Sequence, residues 1–267
     1  MSWGRRSQAI WRATTRRRAL LAGPLVAGGV AAAIVWKRRG RRVEGRRWYG
    51  FVYRTMYLLG FPIWDRREPL EDLVQLLEGD QPLQPGRSLD IGCGTGTETI
   101  YLATHGWNAT GVDMVPKALS MARRRAAAAG TSPRFVLGDA TRLQDFGIGA
   151  DYNLVLDFGC FHTLPADRRD AYVDSVSRVA APGATFLLFG FTKPPRLAPM
   201  HAALSTEEVR ARFDGSTWEL VSAERKSTGG LEVAGRQADE LFELWGYRLR
   251  RRSPRGVDVV DGNVESA

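Results

Sequence analysis

Two hydropathy rhythms alternate along the middle of this chain, and the switches between them mark its elements. Short apolar or β-branched runs bounded by Gly, Pro or Asp read as buried strands, whereas apolar residues three and four apart read as helices. An aromatic-rich stretch from Trp48 leads into a helical one, in which Leu70, Leu73, Val74, Leu76 and Leu77 share a face. After the Pro/Gly-rich stretch at 80–86, the pattern predicts strands at Ser88–Ile91, Asn108–Val112, Arg134–Leu137, Tyr152–Asp157 and Ala184–Phe189. Between and after them it predicts helices at Thr97–His105, Pro116–Ala129, Pro165–Ala180 and Ser205–Phe213. Pro116 suits a first helical turn, and Ser205 with Glu208 suits a capping box. Trp218–Glu224 and Leu241–Leu249 read as two closing strands with no helix between them, hence a hairpin. The expected fold is α/β, a Rossmann-like seven-stranded, mostly parallel sheet with helices on both faces and an antiparallel last strand.

The ends of the chain follow other patterns. Residues 1–18 form a basic arm, 37–47 a basic linker, 48–252 the folded domain, and 253–267 a polar, acid-ended tail expected to be disordered. Between the basic stretches, Ala19–Trp36 carries no charge over 18 residues. As a helix it would rise about 27 Å, just under a hydrocarbon thickness of about 30 Å, so a transmembrane or membrane-anchoring helix is expected. "TRRRALL" at Thr15–Leu21 also resembles the start of a twin-arginine export signal, although a basic block follows at Lys37. A disordered basic arm is the third reading. Arginines on the two sides balance, so orientation is not readable.

Charge sharpens this division. The net charge is +9, but the first 50 residues hold 13 of the 38 Lys+Arg and one of the 29 acids, which leaves the remainder slightly acidic. An acidic domain attracts phosphates poorly, which counts against a nucleic-acid partner. Cys93 and Cys160 make no disulfide framework and lack zinc-ligand spacing, so no metal is expected. No obligate protein partner is readable.

The chemistry concentrates in "LDIGCGTG", where Gly92, Gly94 and Gly96 alternate after the first strand. Glycines there allow a sharp turn, close approach of a ligand to backbone, and close helix–strand packing. The dinucleotide pattern G-x-G-x-x-G would need Gly where Thr97 stands. Asp90 lies two residues before the first glycine and would repel a pyrophosphate, yet would attract a ligand carrying an ammonium and a sulfonium. Asp113 closes the second strand and Asp139 the third.

This motif resembles the first motif of class I S-adenosylmethionine-dependent methyltransferases, over about Trp64 to Arg251. The resemblance implies that Asp90 orients the methionine moiety and that Gly92, Cys93, Gly94 and Gly96 form the cofactor loop. It implies that Asp113 accepts both ribose hydroxyls, with Met114 beside it, and that Asp139 and Ala140 meet the adenine. A carboxylate can accept two vicinal hydroxyls at once, which suits Asp113 independently. In this fold the methyl points toward the fourth strand end, making Asp157, Phe158, Cys160, Phe161 and His162 the substrate-facing set, with Asp157 also counted among the cofactor contacts.

"GFPIWD" at Gly60–Asp65 and "DFGCFH" at Asp157–His162 resemble a bacterial small-molecule subgroup related to thiopurine methyltransferases. There an N-terminal aromatic segment folds over the cofactor, so Trp64 would cover the methionine or methyl region, or else be core. His162 is the candidate general base, with an unperturbed pKa near 6.5, or else it packs beneath the next loop. Cys160 has no base-and-orienter set and reads as pocket lining. Gly190–Leu204 carries Lys193, Arg196 and His201 and reads as a lid or pocket wall. Its "KPP" is not the Asn/Asp-Pro-Pro-aromatic motif of amino-methylating nucleic-acid enzymes. The expected function is methyl transfer to O, S or N of a small lipophilic or aromatic acceptor. The alternative is a nucleic-acid or ribosomal-protein methyltransferase tethered by the basic arm. A cytosolic cofactor would put the domain on the cytoplasmic side of a cell membrane.

Overall fold

The computed structural model describes residues 53–59, 65, 68–192, 203–227, 232–233, 236–237 and 243–253. All of them lie in the unit from Arg46 to Ala267. The predicted membrane segment at 19–36 and the tail from 254 lie outside the described residues, as does Trp64. Among the described residues no helix is long and apolar enough to cross a membrane.

A helix at 53–59 (α1) and α2 (Glu71–Glu78) precede the sheet. Then follow β1 (Arg87–Ile91), α3 (Thr97–Thr104), β2 (Asn108–Asp113), α4 (Pro116–Ala128), β3 (Arg134–Leu137), a 3-10 segment (Ala140–Phe146) and β4 (Tyr152–Phe158). A 3-10 turn (Phe161–Thr163), α5 (Ala166–Val179), β5 (Ala180–Phe191), α6 (Thr206–Phe213) and β6 (Trp218–Lys226) come next. The short β7 (Glu232–Val233) and β8 (Arg236–Gln237) pair with each other, and β9 (Leu244–Arg251) closes the sheet.

The seven strands run in the order β3-β2-β1-β4-β5-β9-β6. The expected hairpin partners, β6 and β9, do pair antiparallel. However, β9 inserts between β6 and β5 and is antiparallel to both. The alternating pattern identifies these strands but not their order, since insertion depends on which edge remains unpaired. The two-residue β7 and β8 carry no periodic signal and were not anticipated. The fifth strand also begins earlier than predicted, because Ala180 already pairs with Tyr152 across an irregularity in register.

Strand burial explains why the sheet is covered on both sides. In β4, Leu154 and Leu156 face α2 and α3 through Leu73, Leu77 and Leu102, whereas Val155 faces α5 and α6 through Tyr172, Val176, Val209 and Phe213. Leu119, Ala122 and Ala126 of α4 pack on Phe135 of β3. Gly96 is needed at the base of this packing. Its φ is +82°, and an added Cβ would lie 2.9 Å from Phe135 Cζ and 3.0 Å from Ala122 Cβ. Gly96→Ala is expected to destabilise the fold by about 2–4 kcal/mol, from the left-handed backbone and overpacking together, read as a lowered urea midpoint at constant m.

Candidate active site

Strand order reverses between β1 and β4, the position where open α/β sheets bind ligands at the strand carboxyl ends. Parallel register sets Ile91 beside both Val112 and Asp157, and Asp113 beside Leu137. Asp90, Asp113 and Asp157 therefore finish neighbouring strands at nearly one level. The loop leaving β1 is pinned to β2 by N–H bonds from Gly92 and Cys93 to Val112 O, at 2.8 and 3.1 Å.

Asp113 completes that loop. Its Oδ2 accepts the Gly94 N–H at 2.9 Å and its Oδ1 the Val115 N–H at 2.7 Å. Each oxygen retains acceptor capacity for a further donor. Burial pushes its pKa up to about 6, against the lowering pull of those backbone donors.

Asp90 is buried, and Thr99 Oγ1 donates to its Oδ2 at 2.5 Å. Burial, and then the nearby Glu98 carboxylate, hold its pKa well above the usual range. Glu98 and Asp90 line a cleft of about 50 Å³ with Gly92, Cys93, Gly94, Asp65, Phe158 and Tyr57. Tyr57 roofs it, because a Cβ on Gly94 would lie 2.7 Å from the Tyr57 hydroxyl oxygen.

Asp139 begins the turn after β3 as a helix cap, accepting from Thr141 N–H at 2.9 Å and Thr141 Oγ1 at 2.7 Å. Its other oxygen faces Arg168 Nη2 at 3.2 Å. Burial raises its pKa, but the Thr141 bonds and the Arg168 charge outweigh this and leave it lowered. Ala140 is half-buried beside it, and Met114 is exposed just past β2.

Asp157 departs from expectation. It is fully buried, and its oxygens take the Cys160 N–H at 2.7 Å, the Phe161 N–H at 2.9 Å and the Tyr172 hydroxyl. It shapes the turn after β4 instead of facing the cleft. Burial raises its pKa to about 7 despite these donors.

His162 lies in the 3-10 turn, 2% exposed and edge-on to Phe191 with ring centroids 5.6 Å apart. Burial, and secondarily the Arg169 guanidinium, lower its pKa to about 4. It is therefore neutral at physiological pH, and a weak proton acceptor. Both thiols are held protonated: burial and neighbouring carboxylates raise Cys93 and Cys160 well above their ordinary value. The proposed wall residues Lys193, Arg196 and His201 lie outside the described residues.

A larger concavity of about 640 Å³ lies between α2 and the β5-β9-β6 flank. Part of its charged lining is paired, with Lys226 on Asp72 and Glu224 at 2.7 and 2.8 Å, and it lies away from the switch point. We therefore place the chemistry in the smaller cleft.

Comparison with known proteins agrees with this geometry. Residues 89–183 match a family model described as a methyltransferase domain. A stretch of 174 residues is 30% identical to an uncharacterized methyltransferase of Synechocystis, covering 62% of this chain and 71% of that protein. The chain belongs to the S-adenosylmethionine-dependent methyltransferases. Another methyltransferase relative, the 2-heptyl-1-hydroxyquinolin-4(1H)-one methyltransferase of Mycobacteroides abscessus, is 33% identical over 153 residues. That match covers 56% of this chain and 65% of the relative's length. Among solved structures, one concerning conversion of a disulfide bond into a thioacetal group in echinomycin biosynthesis aligns with TM-score 0.60 and 27% identity, over 76% of this chain and 93% of that one.

The residues present fit the methyltransferase cofactor. Gly92 and Gly94 form a cradle that side chains would fill, Asp113 offers two carboxylate oxygens with acceptor capacity, and Asp90 and Glu98 favour a cation. The sequence reading did not single out Tyr57, Thr95, Glu98 or Arg168; Tyr57 and Arg168 reach the site only through long-range packing, whereas Thr95 and Glu98 lie in or beside the motif. Asp113→Asn is expected to weaken S-adenosylhomocysteine binding about tenfold to hundredfold in calorimetry, since one charged acceptor becomes a donor. Wild-type affinity should fall about tenfold between pH 7.5 and 5, because protonation below a pKa of about 6 removes the same acceptor.

Proposed function

We propose that the protein transfers a methyl group from S-adenosylmethionine to a small aromatic acceptor whose nucleophilic O, S or N is acidic enough to ionise near neutral pH. The observation that carries this reading is the aromatic cluster at the ends of β4 and β5, of which Phe158 reaches the donor cleft. Phe158 lines the cleft and packs on Phe189 with centroids 5.8 Å apart, while Phe191 meets neutral His162 edge-on. An aromatic edge at the cleft suits flat apolar rings better than charged polymers.

The bound cofactor supplies an electrophilic methyl on a good leaving group. Asp113, Asp90 and the glycine loop hold and orient the donor, and the aromatic wall positions the acceptor and excludes water. His162 can accept a hydrogen bond, but its depressed pKa makes it a poor base for a weakly acidic alcohol. An acceptor that brings its own acidity therefore suits this His162 best. The named substrate of the mycobacterial relative, an N-hydroxy heterocycle, supports that class. The uncharged run Ala19–Trp36 supports attachment to a membrane, where lipophilic acceptors partition, with the domain on the cytoplasmic side.

A screen with labelled donor should show transfer to hydroxyquinolines, acidic phenols and aromatic thiols, but not to aliphatic alcohols. Transfer confined to RNA would refute the proposal. At saturating donor and with an acceptor already ionised, kcat should show no step near pH 6.5, because His162 stays neutral down to about pH 4.

A further inference from the structure

Thr95 stands at the tip of the cofactor loop between two glycines whose φ values are +53° and +82°. Those neighbours bring no side chain with which to hold the tip, and Thr95 is itself 3% exposed. Its hydroxyl donates to Asp65 Oδ1 and accepts from Arg125 Nη1. Arg125, on α4, also closes a two-pronged bond on Asp65, with Nη1 to Oδ1 at 3.0 Å and Nη2 to Oδ2 at 2.6 Å. The two side chains are only 17% and 12% exposed.

Three segments thus meet at one hydroxyl: the chain before the sheet, the cofactor loop and α4. From the other side, Asp113 holds the adjacent Gly94 N–H. The loop tip is gripped between these two contacts. Asp65 also lines the donor cleft, so the contact lies beside the ligand's space.

We propose that Asp65 and Arg125 are positioning residues for the methyl donor: through Thr95 they hold the glycine loop in its binding geometry. A planar guanidinium suits this task because it grips both carboxylate oxygens while still reaching the hydroxyl. A lysine has the charge but not the fork. The glycine loop has many accessible conformers, so prepaying its ordering should appear as donor affinity. The inference rests on the cofactor reading above and adds to it a device outside the motif.

The test uses the full chain and calorimetry with S-adenosylhomocysteine. Asp65→Asn and Arg125→Met should each weaken binding about tenfold, and the double variant should be little worse than either, because both remove one unit. Arg125→Lys should also lose affinity, and it carries the test if the other variants fail to fold. Hydrogen exchange should quicken at the amides of residues 92–97 while β4 and β5 keep their protection. With an acceptor from the screen, donor KM should rise while kcat at saturation holds. Folded variants that bind within twofold of wild type, or losses that add, would overturn the clamp alone. Absence of binding by the wild-type chain would overturn the cofactor reading and the clamp with it.

Discussion

Carboxylates buried around one loop impose the constraint on which this site depends. Asp90 and Asp157 lie inside the sheet, Glu98 sits on the first turn of α3, and Asp113 caps β2. Taking charge out of water is costly unless donors compensate. The fold supplies donors unevenly. Asp157 has two backbone N–H groups and a tyrosine hydroxyl, so its charge is consumed internally. Asp113 has two backbone N–H groups and room for more. Burial, and then the Glu98 carboxylate, raise the proton affinity of Asp90. The same sheet therefore builds one acid whose acceptors are used within the fold and leaves others around the glycine loop with acceptor capacity to spare.

That distinction governs how much could be read from sequence. The glycine loop and the strand-end acids were legible because they are local: a short apolar run, a turn and a carboxylate occur within a few residues. Their topological placement followed from strand–helix alternation. The fate of each carboxylate was not legible. Asp157 and Asp113 look alike in the chain, each ending an apolar strand, and only the arrival of Tyr172 from α5 separates their roles. Asp139 likewise acquires Arg168, 29 positions away. Arg125 ends a run of three arginines that reads as a solvated helix face. Arg123 and Arg124 are exposed, whereas Arg125 turns inward to Asp65. Helical periodicity could have flagged it, since it adjoins buried Ala122 and Ala126.

The turn after β4 is organised by a different kind of residue. Arg169 is 2% exposed, and its guanidinium donates to Leu164 O at 3.2 Å, to His162 O at 3.0 Å and to Glu208 on α6. It also lies over the Phe161 ring, with Cζ 5.2 Å from the centroid. One buried cation thus joins the turn after β4 to a helix on the far side of β5. A buried charge with this many partners tolerates few alternative arrangements, so it specifies a geometry more than it adds stability.

Burial first, and Arg169 after it, make His162 a poor base in this setting. The turn that presents His162 toward Phe191 needs a cation underneath to hold its carbonyls, and that cation opposes a second positive charge on the imidazole. Fixing the wall and protonating the wall are in conflict, and the burial of both groups decides it in favour of fixing. On the proposed reading, this setting gives up proton abstraction by His162. Methyl transfer tolerates the loss, because the sulfonium leaving group needs no acid and an ionised acceptor needs no base. Charge then divides along the strand ends: carboxylates gather around the glycine loop, and a buried arginine stands behind the turn that carries neutral His162.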